Sequence, residues 1–190
     1  MPKKVDRRER RTQIADALMR VAADHGLEAV SLRHVAAEAG VSAGMVQHYF
    51  RTKDEMMAFA LEVVRERNQV RVTEALALLG ADPAPRELLR TILATLLPLE
   101  EETRADGRVA LAFLAYSAVR PTASATLRDD TGQMIDFIAG LLPVPEKETA
   151  ARSLLALMEG LGVYLLGGQY TPGEARAALD AQLDLIFKGP

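Results

Sequence analysis

The sequence contains no cysteine and no tryptophan, and it has only three histidines among its 190 residues. The absence of cysteine excludes disulfide bonds, thiolate metal sites and cysteine nucleophiles. None of the histidines (His25, His34 and His48) follows a Glu by three positions, so the Glu-x-x-His pairs of a di-iron helical bundle are absent. The G-x-S-x-G, P-loop and H-E-x-x-H patterns are absent as well. We therefore expect neither an enzyme nor a cofactor.

Long hydrophobic segments are also lacking. The N-terminal residues, MPKKVDRRERR, are highly charged and no apolar segment of a secretory signal follows them. The longest apolar run, residues 153–168, carries Glu159 and is shorter than the roughly 20 residues that span a bilayer. We expect a soluble cytoplasmic protein that does not cross a membrane.

The charge of the chain is distributed unevenly. The formal net charge is −3, but residues 1–53 carry +4 and residues 54–190 carry −7. A basic head on an acidic body indicates contact with a polyanion at one end of the chain. A chance excess of solvated charges would give the same count, and the charges alone do not separate these readings.

Apolar residues recur at helical spacing, and no stretch shows the alternation of a strand. Ile14, Leu18, Val21, Ala22 and His25 fall on one face of a first helix, which Gly26 ends. The further helices are predicted at about 32–39, 43–50, 52–79, 86–97, 104–119, 122–141, 147–167 and 173–187. The expected fold is all-α with about nine helices. The strongest break, GADPAP at residues 80–85, is the best candidate boundary between head and body.

A set of spacings near residue 40 indicates a helix-turn-helix. Such a pair of helices requires a small residue, a turn residue and a branched residue, and these are Ala36, Gly40 and Val46 respectively. Their apolar companions are Val35, Val41 and Phe50. The small residue lets two backbones approach, the glycine accepts a positive φ, and the branched residue fills the angle between the helices. In DNA-binding units of this kind, the second helix enters the major groove.

The same segment, residues 12–57, resembles the DNA-binding head of TetR-type bacterial regulators. The matching residues are Ser31, Val35, Ala36, Ala39, Gly40, Val41, Ser42, Gly44, Val46, Tyr49, Phe50, Lys53, Asp54 and Met56. The resemblance implies a three-helix head with a helix-turn-helix, and a larger C-terminal helical bundle as body. It divides the chain into a DNA-binding head at 1–55, with a basic arm at 1–11, and a sensing and dimerisation body at 56–190. It implies a ligand-responsive repressor that binds a palindromic operator as a homodimer and is released by a small organic effector.

Helical geometry and the resemblance together select the candidate DNA-binding residues. On the second helix of the motif, Val46 and Phe50 are expected to face inward with Leu32 and Val35. The candidates are Ser31, Arg33, Ser42, Ala43, Gly44, Gln47, His48, Tyr49, Thr52 and Lys53. Plain N-capping also explains Ser31 and Thr52, and a tight helix crossing would also explain Gly44.

One candidate departs from the family pattern. Gln47 stands where the family usually has an aromatic residue that meets the DNA backbone. A glutamine can pair bidentately with adenine in the major groove, so we expect base reading at this position; a hydrogen bond to phosphate or water is the alternative. The arm residues Lys3, Lys4, Arg7, Arg8, Arg10 and Arg11 are expected to add sequence-independent affinity.

The body supplies candidates for dimerisation and for a pocket. Leu154, Leu157, Met158, Leu161 and Leu165 form one stripe beside Gly160 and Gly162, and Leu179, Leu183 and Ile186 form another. We expect the last two helices to pair across a two-fold axis, unless these stripes face the protein's own core. Phe113, Tyr116, Met134, Phe137, Met158 and Tyr164 could line an apolar cavity with Glu159 as its polar group. Such residues on amphipathic helices more often belong to the core, so we assign no ligand-binding residue. The rival functions are a non-specific architectural DNA-binding protein and an all-α helical-bundle enzyme.

Overall fold

The computed structural model describes residues 7–26, 29–118 and 124–189. This part of the chain forms nine helices and no strand. They are α1 (Arg7–His25), α2 (Leu32–Glu38), α3 (Ala43–Tyr49), α4 (Lys53–Ala77), α5 (Pro85–Leu96), α6 (Glu101–Ala118), α7 (Ser124–Leu141), α8 (Lys147–Leu166) and α9 (Pro172–Lys188). The all-α prediction is confirmed. The break between the helices predicted at 104–119 and 122–141 lies outside the described residues.

The chain divides into two compact units, and two helices contribute to both. The first unit is Met1–Arg67 with Arg108–Val119, and the second is Asn68–Gly107 with Arg120–Pro190. The loop at 80–85 therefore lies inside the second unit and does not separate the two. Two of the three crossings between the units fall inside the continuous helices α4 and α6, where no loop-forming residues mark them. The third, between residues 119 and 120, lies outside the described residues. The predicted division at residues 55 and 56 concerns function and stays a prediction.

The first unit is built around the apolar faces of α1 to α4. Ile14, Leu18, Val35, Val46 and Phe50 are almost completely buried there. The last turns of α6 add Val109 and Phe113 to the same core. His25, predicted on the same face of α1 as Ile14 and Leu18, is exposed in the last turn of the helix. Gly26, whose φ is +76°, follows it directly.

The second unit is built from the end of α4, the start of α6, and α5, α7, α8 and α9. The leucines predicted as a dimer stripe lie mostly inside it: Leu154, Leu161, Leu165, Leu179 and Leu183 are buried. Their assignment to a dimer face is wrong, because α5 and α7 cover that side of α8 and α9. Two arginines of α5 fix α9 from outside this core. Arg90 holds both carboxylate oxygens of Asp180, at 2.6 and 3.1 Å, and Arg86 donates to Asp184 at 2.7 Å.

Helix α8 is long and apolar enough to cross a membrane by length and composition. The expectation that no stretch reaches this length counted only residues 153–168, whereas the helix begins at Lys147. Four of its leucines pack in the core of the second unit, and its first two turns carry Lys147, Glu148 and Arg152. One side of α8 therefore belongs to the core of the second unit, while 28% of its apolar window is buried overall.

Candidate nucleic-acid interface

Three hydroxyl side chains cap the N-termini of α2, α3 and α4. Ser31 accepts from the His34 backbone N–H at 3.2 Å, Ser42 from Met45 at 3.1 Å, and Thr52 from Glu55 at 3.0 Å. Each hydroxyl is used here as an acceptor, so its own proton is still available to donate. These three residues therefore cap their helices, as expected, and each hydroxyl can still donate to a phosphate oxygen. Only one half of a capping box is present at Thr52, because Glu55 accepts from the backbone N–H of Arg51, at 3.0 Å, and not from that of Thr52.

The turn between α2 and α3 is closed by backbone hydrogen bonds around Gly40. Its N–H donates to the Ala37 carbonyl at 3.2 Å, and the next N–H, of Val41, donates to Ala36 at 3.0 Å. Gly40 itself has a φ of +66°. This pair of bonds is a Schellman motif, which requires a left-handed residue. The glycine predicted for the turn is there for that reason.

Helix α3 has an apolar and a polar side. Val46 and Phe50 are buried in the first unit, while Ser42, Ala43, Gly44, Gln47 and His48 are exposed. The predicted inward and outward faces therefore match the structure. Leu32 is only partly buried, but it packs against the same core.

Gly44 has no packing reason to be a glycine. A Cβ added there would meet only the Ser42 hydroxyl, at 3.9 Å, which is an ordinary contact. Its φ is not positive. The alternative of a tight helix crossing therefore fails, and a missing side chain on an exposed helical face permits close approach of an external group.

The remaining candidates of α3 are available to varying degrees. Gln47 makes no hydrogen bond to any described residue, and its amide is exposed. His48 is exposed and stands edge-on to Tyr49, with ring centroids 5.2 Å apart. Tyr49 packs its ring on the first core and is half-buried.

The candidates outside α3 flank it in the chain. Arg33, on α2, is exposed, and Lys53 begins α4 with a half-buried side chain. Ser31 is half-buried and Thr52 is exposed. All ten candidates therefore lie in the first unit, on α2, α3 and the start of α4.

The structure revises the basic arm. Residues from Arg7 onward belong to α1, and Lys3 and Lys4 lie outside the described residues. Arg11 stacks over Phe59 and Phe50, with its guanidinium 4.2 and 4.8 Å from the ring centroids, and pairs with Glu55 at 3.6 Å. A carboxylate and two aromatic rings of the head therefore engage its charge within the folded protein, and its place in a phosphate-binding arm stays a prediction.

Arg8 is engaged in a similar way by α4. It forms an ion pair with Glu66, and its guanidinium lies 3.9 Å from Glu62. Arg7 and Arg10 are different, since neither forms an ion pair with a described residue; Arg10 donates to Gln13 at 2.9 Å. Among the described arginines of the predicted arm, Arg7 and Arg10 are thus the two whose charge is not engaged by a described carboxylate.

Sequence reasoning missed one exposed residue of α3. Met45 is 39% exposed, and it is the one large apolar side chain exposed among the described residues of the first unit. It lies in the first turn of α3, between Gly44 and the buried Val46. The helical spacing could have indicated it, because Met45 is three residues before His48, on the margin of the polar face.

A second exposed surface lies on α8 and α9 in the second unit. Its members are small or apolar residues at helical spacing, all exposed except the half-buried Gly160: Ala156, Gly160, Val163 and Tyr164 on α8, and Ala177, Ala181 and Leu185 on α9. Leu185 is 59% exposed. Glu159 lies on the same side of α8, and burial raises the pKa of its carboxyl. We call these residues the α8–α9 surface.

The residues considered for an apolar cavity are divided between the two units. Phe113 and Tyr116 pack in the first unit, whereas Met134 and Met158 pack on the core of the second. Phe137 and Tyr164 are exposed. The buried polar feature of the second unit is instead Asp106, which accepts from Arg71 at 2.9 Å.

A capped helix-turn-helix with a polar outer face defines a DNA-binding protein, and comparison with known proteins agrees. Residues 14–59 match the family model "Bacterial regulatory proteins, tetR family", and residues 85–188 match "BetI-type transcriptional repressor, C-terminal". The regulator PksA of Bacillus subtilis is 35% identical over 87% of this chain and 83% of its own length. The regulator BetI of Stenotrophomonas maltophilia is 30% identical, over 97% of this chain and 96% of its own.

Solved structures extend the likeness to the whole fold. A transcriptional regulator from Rhodococcus superposes with a TM-score of 0.84 at 36% identity, covering 94% of this chain and 96% of the other. A regulator from Saccharomonospora viridis, crystallised with choline, has a TM-score of 0.78 at 22% identity, over 93% and 96% of the two chains, and supports the fold alone.

The chain belongs to the TetR family of bacterial regulators, with a BetI-type C-terminal domain. It is a DNA-binding transcriptional regulator and not an enzyme.

Proposed function

We propose that this regulator represses transcription by placing α3 in the major groove of an operator. The observation that carries the proposal is the two-sided character of α3. Val46 and Phe50 anchor one side, while Ser42, Gly44 and Gln47 are exposed on the other. The exposed backbone at Gly44 lets the helix approach the groove without a side chain in between.

The flanking candidates position the helix on the DNA backbone. The hydroxyls of Ser31, Ser42 and Thr52 cap their helices as acceptors and donate their protons to phosphate oxygens. Arg33 and Lys53 supply positive charge beside them, and His48 and Tyr49 complete the surface. Such contacts fix orientation without carrying sequence information.

Gln47 is proposed as a base-reading residue. Its amide has no hydrogen bond to a described residue, so both its donor and its acceptor can pair with an adenine edge. A good bidentate pair of this kind discriminates by about 1–3 kcal/mol against the wrong base. Gln47→Ala should weaken binding to the preferred operator more than binding to operators that differ from it at the one base pair that Gln47 contacts. Equal weakening on all operators would assign Gln47 to the backbone instead.

A palindromic operator requires a two-fold dimer, and the α8–α9 surface is our proposed interface. The small residues Ala156, Gly160 and Ala181 permit close approach of a second copy, and the exposed Leu185 supplies apolar area. Two copies would present two α3 helices to half-sites one DNA turn apart, about 34–36 Å. This keeps the predicted helices α8 and α9, and Gly160 with them, but replaces the predicted leucines, most of which are buried, by exposed residues.

We further propose that a small organic effector releases the protein from its operator, and that the protein is cytoplasmic. The support is that α6 takes part in both units. It contributes Asp106 to the second, and Phe113 and Tyr116 to the first, where the Tyr116 hydroxyl donates to Asp54 of α4. An effector bound to the second unit in one of two conformations of α6 would shift their populations.

The proposal is tested by selecting DNA from a random pool with the full-length protein. A palindromic consensus is expected, and binding to it should exceed binding to random DNA by at least about a thousandfold. Affinities on the two DNAs that differ by less than tenfold would favour the architectural alternative. A compound screen for release of the selected DNA then tests the effector.

A further inference from the structure

We infer that Met45 reads a thymine methyl group in the operator, as a specificity-determining residue of the interface proposed above. Among the described residues of the first unit, Met45 is the large apolar residue whose side chain is exposed. It is not among the residues that pack on the first core, either as a buried or as a partly buried member. Met45 therefore lies outside the apolar core of the head, and that core does not require a methionine at this position.

The position of Met45 suits contact with base edges. It is the third residue of α3 after the cap Ser42, and its backbone N–H is bonded to the Ser42 hydroxyl at 3.1 Å, which fixes the first turn. In helix-turn-helix units the N-terminal residues of the second helix contact base edges. The neighbours on the N-terminal side, Ala43 and Gly44, have short or no side chains, so neither competes with the methionine for the space in front of the helix.

The chemistry of the side chain selects its partner in the groove. A thioether has no donor for phosphate and only a weak acceptor. Among the groups that base pairs present in the major groove, the apolar one is the C5-methyl of thymine. Methionine is unbranched and has three rotatable bonds, so it adapts to a methyl group whose position depends on local DNA geometry. Its ligand is therefore a thymine, read through the methyl and not through hydrogen bonds.

The test removes that methyl from the DNA. Starting from the selected operator, each thymine of one half-site is replaced singly by deoxyuridine, which keeps every hydrogen bond and lacks only the methyl. Wild-type protein should lose about fourfold in affinity at one thymine, the loss expected from one methyl-sized apolar contact. Met45→Gln, which keeps the unbranched shape, should bind the thymine operator more weakly and should not respond to deoxyuridine at that position. Met45→Leu should keep the response.

Two controls separate a reading role from a folding role. All variants should keep the wild-type thermal midpoint, because Met45 is outside the core, and Val70→Gln, at an exposed apolar site of α4, should leave every affinity unchanged. The inference is overturned if wild type and Met45→Gln respond equally to deoxyuridine at every position, or if wild type responds nowhere.

Because the inference rests on the proposed DNA interface, its failure must be distinguishable from failure of that interface. Gln47→Ala and Gly44→Ala serve this purpose on the same operators. If both weaken binding while the deoxyuridine profiles of wild type and Met45→Gln coincide, the role of Met45 alone is wrong. If neither they nor Met45→Gln changes affinity for any DNA, the interface itself is wrong.

Discussion

Two glycines four residues apart in the helix-turn-helix serve different purposes at the scale of single residues. Gly40 adopts a left-handed φ of +66° in the turn, whereas the φ of Gly44 lies in the ordinary range on the exposed face of α3. A Cβ added at either position meets no atom closer than 3.9 Å. Gly40 and Gly44 therefore differ in backbone conformation and not in the space around them.

The same substitution at both positions should have opposite effects on stability. Gly40→Ala places an L-residue in the left-handed region and should lower the free energy of unfolding by about 1–2 kcal/mol. Gly44→Ala should raise it by about 0.5–1 kcal/mol, since alanine is the better helix former. Urea denaturation measures both. The proposed interface adds that the stabilised Gly44→Ala protein should bind its operator more weakly; a gain or no change in affinity would contradict close approach at Gly44.

The arginines of α1 provide the second contrast between neighbouring residues. Arg11→Gln removes a guanidinium stacked on two phenylalanine rings and should destabilise the head by about 1–2 kcal/mol. Arg7→Gln should leave the thermal midpoint unchanged, because Arg7 is exposed and forms no ion pair with a described residue. If Arg7 meets a phosphate, its removal should reduce the salt dependence of DNA binding by about one unit of slope per contact. Thermal unfolding and salt titrations of DNA affinity separate the two roles. A salt slope of DNA binding that neither Arg7→Gln nor Arg11→Gln reduces would contradict a phosphate contact by either arginine.

At the scale of elements, helix boundaries follow from short-range hydrogen bonds. Thr171 accepts from the Glu174 backbone N–H at 3.3 Å, and Glu174 in turn accepts from the backbone N–H and the hydroxyl of Thr171, both at 2.8 Å. This capping box, with Pro172 in the first turn, starts α9 where its sequence pattern predicts it. The Schellman turn at Gly40 and the cap at Ser42 define the ends of α2 and α3 in the same way.

The capping box predicts a pH dependence of stability. The backbone N–H of Thr171, and then its hydroxyl, hold the pKa of Glu174 below its ordinary value of 4.5. The folded state thus binds this proton less well than the unfolded state, so the contribution to stability is present above pH 4.5 and is lost as the pH falls through the lowered pKa. Glu174→Gln keeps an acceptor oxygen but no charge. Its thermal midpoint should lie below that of wild type at neutral pH and approach it in acid; parallel midpoints across that range would contradict the charge effect.

At the scale of the whole molecule, α8 and α9 carry two kinds of apolar residue. One kind, represented by Leu183, is fully buried in the second unit, and the other, represented by Leu185, is mostly exposed. The buried set makes the core together with α5 and α7, and the exposed set makes the α8–α9 surface that we assign to a second copy of the chain. Arg86 and Arg90 hold α9 against α5 by ion pairs with Asp184 and Asp180, so the two sets are fixed on opposite sides.

Leu183 and Leu185 give a matched pair for testing this assignment. Leu183→Ala should cost about 2–5 kcal/mol of unfolding free energy by leaving a cavity in the core. Leu185→Glu should leave the fold intact, as judged by circular dichroism, and should shift the protein from dimer to monomer in sedimentation velocity. The monomer should also lose affinity for the palindromic operator. A dimer that survives Leu185→Glu would move the interface away from this surface.

The sequence by itself determined the all-α class, most helix ends, the turn at Gly40 and the two faces of α3. Each of these depends on residues a few positions apart: caps, a positive φ, and the spacing of Val46 and Phe50 relative to Gln47. Tertiary structure decided the rest. Periodicity shows that α8 and α9 have apolar stripes, but not which stripe α5 and α7 cover, so the predicted dimer leucines belong to the core. In the same way, only packing shows that Arg11 is engaged by Glu55 and two rings, that Met45 is left exposed, and that α4 and α6 each enter both units. These features arise between residues far apart in the chain, where neither local propensity nor spacing carries information about the neighbour.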